Sequence, residues 1–400
     1  MDFEFTQEQN LLGDSLRRYL AKGYSLQDRA RAIATPRGFS DDHWTAFADM
    51  GVLALNIPEA HGGLATGIGN PLDTLVVMRE LGRGLVVEPV WMSAIVCASV
   101  IAASGNEGQQ AALFPSLADG SAVFALAALE PGGRYDCNHV KTTAKSTGGG
   151  YSLQGKKSVV LHGAQAHKLI VSARMSGAVD SDNGIALFVI DRNADGVSVL
   201  DYETVDGFRG ADVTLNDVVV AAGAMLADAS RGSEVLRHAI ELAGAALCAE
   251  ALGIVEALTE ATNEYLKTRK QFGVSIGKFQ ALQHRVADML VAVEQVRAMA
   301  YYAAAKVGGG GGDNGDNGDN GDNGDNGGDG VARTRAIAAA RAAVAEASKF
   351  VCKNAVQLHG GMGVTDELII SHYVKRLTML NQTYGDYEHH LARYAELMEA

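Results

Sequence analysis

From residue 234 to 268 the chain carries mostly Ala, Leu, Glu, Ile and Val, with two isolated glycines and no proline. That pattern predicts one long amphipathic helix, about 50 Å at 1.5 Å per residue. Gly273 is expected to end it. A second apolar period, Phe279, Leu282, Val286, Met289, Leu290, Val293 and Val296, falls on one face of a following helix, so the segment reads as a helical hairpin with Arg269, Lys270 and Gln271 at its corner. At the N-terminus Thr6 and Gln9 have capping-box spacing, ahead of an apolar stripe at Leu12, Leu16, Tyr19 and Leu20. Further helices are expected over 42–50, about 71–82 and 90–104. From 122 onward the texture changes to short β-rich runs at 123–129, 151–161, 169–173, 185–190, 197–200 and 213–220, separated by Gly, Asp and Asn. Helix is expected again from Val331.

Between these helical stretches, 308–330 holds twelve glycines and six aspartates in 23 residues, largely as a Gly-Asp-Asn repeat. Nothing in it can bury apolar area to offset the entropy of ordering. A solvated, acidic, disordered loop is expected; calcium binding through its Asp and Asn oxygens is the alternative, although the triplet lacks the spacing of known calcium loops.

At 400 residues, 47% apolar and 20% charged, the chain exceeds the usual reach of a single core, so two or three domains are expected. A net charge of −13 without a concentrated basic face argues against a nucleic-acid partner. Cys97, Cys137, Cys248 and Cys352 are scattered, with no Cys-x-x-Cys, so neither a zinc site nor a disulfide framework is indicated and reduced cysteines in a cytoplasmic protein are expected. No secretory leader and no membrane insertion are expected from the opening residues or from the hydropathy of the chain.

Two motifs carry chemistry: Tyr265-Leu-Lys-Thr-Arg-Lys-Gln-Phe-Gly273 at the helical corner and Gln357-Leu-His-Gly-Gly-Met-Gly363 downstream. Together they resemble the signature of the acyl-CoA dehydrogenase family, over nearly the whole chain. The wording of the first motif and the ending Tyr384-Gly-Asp-Tyr-Glu-His-His-Leu-Ala-Arg393 look most like the small subunits of two-component, pimeloyl-CoA dehydrogenase-type enzymes. The resemblance implies a mainly α fold with a β-domain insert: an N-terminal helical domain (1–120), a middle β-barrel-like domain (121–226) and a C-terminal four-helix bundle (227–400). It also implies FAD, an acyl-CoA substrate and an electron-transfer flavoprotein as redox partner. Arg269, Gln271, Phe272 and Gln280 match residues that meet the pyrophosphate and adenosine of FAD, and Gln357, Gly360 and Gly361 match a glycine turn that lets backbone approach the cofactor. A dipole-stabilised cation pair at a helix C-terminus is the bland reading of Arg269 and Lys270. In the family these residues serve a flavin held mainly by the neighbouring subunit, so an oligomer is implied.

Elsewhere the chain departs from the pattern. The family's Thr-Glu-Pro-Gly-Ala-Gly-Ser-Asp reads Leu129-Glu-Pro-Gly-Gly-Arg-Tyr-Asp136, and its Trp-Ile-Thr-Asn reads Val159-Val-Leu-His162. Hydroxyls and a stacking indole are lost, leaving the backbone of Ala128 and Leu129 to face the flavin ring. The family's Tyr-Glu-Gly, whose glutamate removes the α-proton, reads Tyr384-Gly385-Asp386. Asp386 is the nearest carboxylate and the candidate base, with helix N-cap as its other reading. The position from which some relatives draw a base is Ala243, and Glu241 and Glu250 nearby read as ordinary helix acids. Three functions stay open: one subunit of a heteromeric dehydrogenase, a self-sufficient homo-oligomer using Asp386, and an FAD-free structural subunit.

Overall fold

The computed structural model describes residues 5–65, 70–308 and 327–399. In chain order the helices are α1 (Gln7–Gly23), α2 (Leu26–Ile33), α3 (Asp41–Asp49), α4 (Pro71–Gly84), α5 (Ala98–Ser104), α6 (Glu107–Ala118), α7 (Gly232–Thr268), α8 (Gln280–Val307), α9 (Gly327–His359), α10 (Ile369–Leu380) and α11 (Tyr387–Glu399). The strands are β1 (Phe124–Ala127), β2 (Thr143–Thr147), β3 (Gly150–Lys157), β4 (Lys168–Arg174), β5 (Ile185–Asp191), β6 (Val197–Glu203), β7 (Arg209–Ala221) and β8 (Met225–Ala227), with β9 (Lys270–Gln271) and β10 (Val274–Ser275) forming a separate hairpin.

Two compact units emerge: one from residues 1–28, 71–86 and 244–400, the other from 29–70 and 87–243. The first is helical. Its N-terminal helix opens on the expected capping box, with Thr6 Oγ1 accepting from the Gln9 amide at 3.2 Å and Gln9 Oε1 from the Thr6 amide at 2.9 Å. Helix α9 is the hub against which α8, α10 and α11 pack, and α4 packs on α1 and α8. Close approach between α4 and α7 depends on glycine: a Cβ at Gly253 would lie 1.8 Å from the Arg79 carbonyl, and one at Gly82 would lie 2.2 Å from the Glu250 carbonyl. Beside this contact Arg79 makes two hydrogen bonds to the buried Glu256, at 2.8 and 2.9 Å, and Arg297 reaches the same carboxylate at 2.9 Å. Although α7 is long and apolar enough to cross a membrane, 94% of its most apolar window is buried in the protein.

In the second unit the strands form one mixed sheet ordered β6-β7-β3-β2-β4-β5-β8, with β1 added parallel to β4. The central β4 is buried along nearly its whole length, as is β5. Preceding α5, residues Trp91–Cys97 form a buried π-helical stretch rather than the expected continuous α-helix. It anchors β1, since the Phe124 amide donates to Ser93 Oγ at 3.0 Å.

Several expected boundaries shift. The helix after the Gly-Asp-Asn repeat starts at Gly327, not Val331, because a nucleated helix gains a hydrogen bond with each residue added backward. Residues 309–326, the bulk of the expected 308–330 loop, lie outside the described residues, and with them the calcium alternative. Helix α7 stops at Thr268, before Gly273, which instead forms the turn of the β9–β10 hairpin. Along the apolar stripe of α8, Met289, Val293 and Val296 are buried, whereas Leu282 and Val286 are half-buried and Leu290 is 54% exposed.

Candidate active site and cofactor corner

The corner between α7 and α8 is a two-residue hairpin turn. Phe272 and Gly273 both have left-handed backbones, φ +53° and +80°, which suits the twist of paired strands. Glycine adopts that conformation freely; phenylalanine does so at a cost, and its side chain is 90% exposed, edge-on to Phe279 at 6.1 Å. A strained turn that holds a large apolar ring in solvent is a feature of binding surfaces rather than of cores. Arg269 follows the last turn of α7, with its amide on the Tyr265 carbonyl at 2.8 Å. Gln280 opens α8. Arg269, Gln271 and Gln280 are exposed, and among the described residues their side chains make no hydrogen bond or ion pair.

The second motif meets the first. Tyr265, one turn before Arg269, stacks on His359 at 4.4 Å between ring centroids with 28° between planes. His359 ends α9 and donates its Nδ1 proton to the Ala355 carbonyl at 2.8 Å, which leaves Nε2 as the acceptor. Burial pushes its pKa below the ordinary histidine value, against the hydrogen bond to Ala355, so the ring is neutral at physiological pH. Just beyond it Gly360, at φ +59°, and Gly361 are exposed, and a Cβ on either would meet nothing within 4 Å. Gln357 is exposed beside them. The structure thus brings Arg269, Gln271, Phe272, Gln280, Gln357, Gly360 and Gly361 to one end of the helical unit. Next to this corner a cleft of about 560 Å³ is lined by Asn263, Leu266, Lys267, Lys278 and Leu290.

Asp386 is elsewhere. Arg341, which contacts its loop, lies on α9 eighteen residues before His359, or about 27 Å along the helix. The Asp386 carboxylate accepts from the His389 amide at 2.9 Å and so caps α11. Ala243 is fully buried and offers only its backbone, whose carbonyl accepts from Trp91 Nε1 at 3.4 Å. Glu250 is not an ordinary helix acid. It is buried and makes two hydrogen bonds to Arg376, at 2.6 and 2.9 Å, a pair whose rupture would strand a buried charge.

Ala128 and Leu129 belong to the other unit, where a buried ion pair that the pattern of the sequence did not announce fixes their strand end. Glu130 accepts from the amides of Lys141 at 2.7 Å and Thr142 at 3.0 Å and from Lys157 Nζ at 2.7 Å. Lys157 also donates to Ser172 Oγ at 2.8 Å, and that hydroxyl donates to the Ala128 carbonyl at 3.4 Å. Burial pushes the Lys157 ammonium down to about 8, opposed by Glu130. Burial also works against the Glu130 carboxylate, but Lys157 and the hydrogen bonds outweigh it and its pKa falls below the usual value. Glu130 could have been singled out from its motif; Lys157, one lysine of an adjacent pair, gave no signal. Val159, at φ +52° and 50% exposed, stands where an indole was expected from the resemblance.

Three family models match in succession: the acyl-CoA dehydrogenase N-terminal domain over residues 6–121, the middle domain over 125–218 and the C-terminal domain over 230–398. The chain belongs to the acyl-CoA dehydrogenase family. A probable acyl-CoA dehydrogenase of Bacillus subtilis, YngJ, is 26% identical over 372 residues, 92% of this chain and 91% of that one. Among solved structures, a Tcur3481-Tcur3483 steroid acyl-CoA dehydrogenase variant is 28% identical, with 98% of each chain covered and a TM-score of 0.82. The ChsE4-ChsE5 complex of Mycobacterium tuberculosis is 25% identical, with 100% and 99% covered and a TM-score of 0.85. As an acyl-CoA dehydrogenase-family protein, this is an FAD-linked oxidoreductase of the CH–CH bond of acyl-CoA. The corner residues suit the pyrophosphate side of that cofactor: a free guanidinium, two free carboxamides and a glycine turn open to close approach.

Proposed function

We propose that this dehydrogenase acts in FAD-dependent α,β-dehydrogenation of an acyl-CoA thioester as one subunit of a heteromer, in the style of the two-component enzymes. The observation that carries this reading is the division of labour within one unit. The corner for the adenosine and pyrophosphate side of FAD has all its donors, whereas the family's base position is Gly385 and the nearest carboxylate, Asp386, is committed to capping α11. Arg269, Gln271, Gln280 and Gln357 would hold the pyrophosphate and adenosine, with Phe272 against the adenosine and Gly360–Gly361 admitting backbone contact. Backbone at Ala128 and Leu129, held through Glu130 and Lys157, would face the flavin ring. FAD supplies the capacity to take the β-hydrogen as hydride. The α-proton would then go to a carboxylate on the partner chain, and electrons would leave to an electron-transfer flavoprotein.

Two of the solved relatives carry paired protein names, which favours a heteromer over a homo-oligomer. Fatty or steroid-like acyl groups are the substrate classes consistent with the relatives, and the four free cysteines accord with the cytoplasm. The test is a visible absorption spectrum of the chain purified alone and co-expressed with a second dehydrogenase subunit from the same genome. Little flavin alone, about one FAD per pair of chains together, and activity insensitive to Asp386→Asn are expected. Full FAD occupancy and thioester dehydrogenation by the chain alone, abolished by Asp386→Asn, would establish the homo-oligomer. A chain that stays colourless under both conditions is the FAD-free structural subunit.

A further inference from the structure

The loop between α10 and α11 is built so that position 385 has no room for a side chain. Its backbone passes through two left-handed residues, Tyr384 at φ +54° and Gly385 at φ +135°. The buried guanidinium of Arg341 holds the loop, donating through Nη2 to the carbonyls of Leu380 at 2.8 Å, Thr383 at 2.9 Å and, at the limit of reach, Gly385 at 3.5 Å. At its other end Asp386 caps α11. A Cβ added to Gly385 would lie 2.5 Å from His390 Nε2 and 2.7 Å from His389 Cδ2. Both distances fall inside any van der Waals contact.

The imidazole of His390 is not free to swing away. Arg341 Nε donates to its Nε2 at 3.4 Å, and Arg341 is itself held by the loop carbonyls of Leu380 and Thr383. With a guanidinium donating to the nitrogen that would accept a proton, His390 fills space and does not serve as a base. His389 lies against it, ring centroids 5.2 Å apart.

We infer that His390, fixed by Arg341, occupies the room that a side chain at position 385 would need, so that this chain is closed to a proton-abstracting carboxylate at the family's base position. The inference rests on the heteromer reading for its functional meaning: the closed loop makes this the non-deprotonating chain. It goes further than a missing residue, because restoring glutamate there would not restore a base.

A double-mutant cycle on the full-length chain reads the packing claim directly, by melting temperature. Gly385→Ala should lower it by several degrees, and in the His390→Ala background the same alanine should cost half as much or less. His389 and the backbone strain are common to both arms and cancel. Should Gly385→Ala fail to fold, folding of the double variant is the expected rescue. Equal costs in the two backgrounds, or failure of both, would overturn the assignment of His390. The functional half is read separately, by deuterium wash-in at the α-carbon of butyryl-CoA with the FAD-loaded pair of chains in which the partner's own catalytic carboxylate has been neutralised. No exchange is expected from the wild type or from Gly385→Glu. Exchange by the wild type alone would refute the non-deprotonating reading while leaving the packing result to stand. Exchange by Gly385→Glu without any change at His390 would refute the closure itself.

Discussion

Arg269 and His390 are both nitrogen-rich side chains, and they are opposites in what surrounds them. The Arg269 guanidinium is exposed and unengaged, a planar fork that matches a pyrophosphate in a way lysine cannot reproduce. Arg269→Ala should therefore weaken FAD retention by about 1.5 to 3 kcal/mol, the usual worth of hydrogen bonds to charged groups, measured as the flavin-to-protein ratio after dialysis at graded FAD concentrations. His390 is half-buried beside Arg341; burial first, then the Arg341 and His389 charges, push its pKa from 6.5 down to about 2. A histidine whose folded pKa is depressed stabilises the fold fully above the unfolded pKa. That stability is lost as the pH falls from about 6.5 toward 2, because only the unfolded chain takes up the proton. The loss should reach up to about 2 kcal/mol by pH 5, at about 1.4 kcal/mol per pH unit. Urea midpoints at pH 7 and pH 5 check it, with His390→Asn expected to flatten the difference. Gly385 was legible as a departure from the family pattern, but its jailer was not: His390 reaches it through a left-handed loop, and Arg341 comes from 44 residues away. Local sequence carries no record of such contacts.

Periodicity served well where an element buries one face within the chain. It predicted α7 and α8, and the alternating runs predicted β3 to β7 to within a few residues. It missed β2 and β8, the first because its Thr-Ala-Lys-Ser-Thr sequence is mostly polar and exposed, the second because it is three residues long. The apolar stripe of α8 was expected to fall on one face, yet within it Leu290 is exposed. A hydrophobic pattern records that a face is apolar and is silent about what covers it. The glycines in α4 and α7 were equally silent, reading as blemishes in good helices although they set how closely the two approach. Gly253→Ala should destabilise the protein by about 1 to 3 kcal/mol, the usual cost of overpacking, seen as a lowered urea midpoint. The same change at Gly23, where a Cβ would meet nothing within 4 Å, serves as the control.

At the scale of the whole molecule, the order helices, strands, helices was written plainly in the change of composition near residue 122, and the three successive family matches follow it. The grouping into compact units was not written there, because it depends on contacts between segments far apart in sequence. The chain passes from one unit to the other four times, so α1 and α4 belong with a stretch of chain made only from residue 244 on. On a ribosome, residues 87–243 must be made before the later helices that α4 also packs on exist, a delay on the order of ten to thirty seconds at 5–20 residues per second. A nascent chain stalled after residue 243 should accordingly be cleaved within 5–28 and 71–86 by a trace of protease, while the same segments resist in the finished protein. Equal resistance at both stages would show that the two helices shelter each other unaided. Otherwise the cell must shield two amphipathic helices for that interval, and a holding chaperone becomes part of how this enzyme is made.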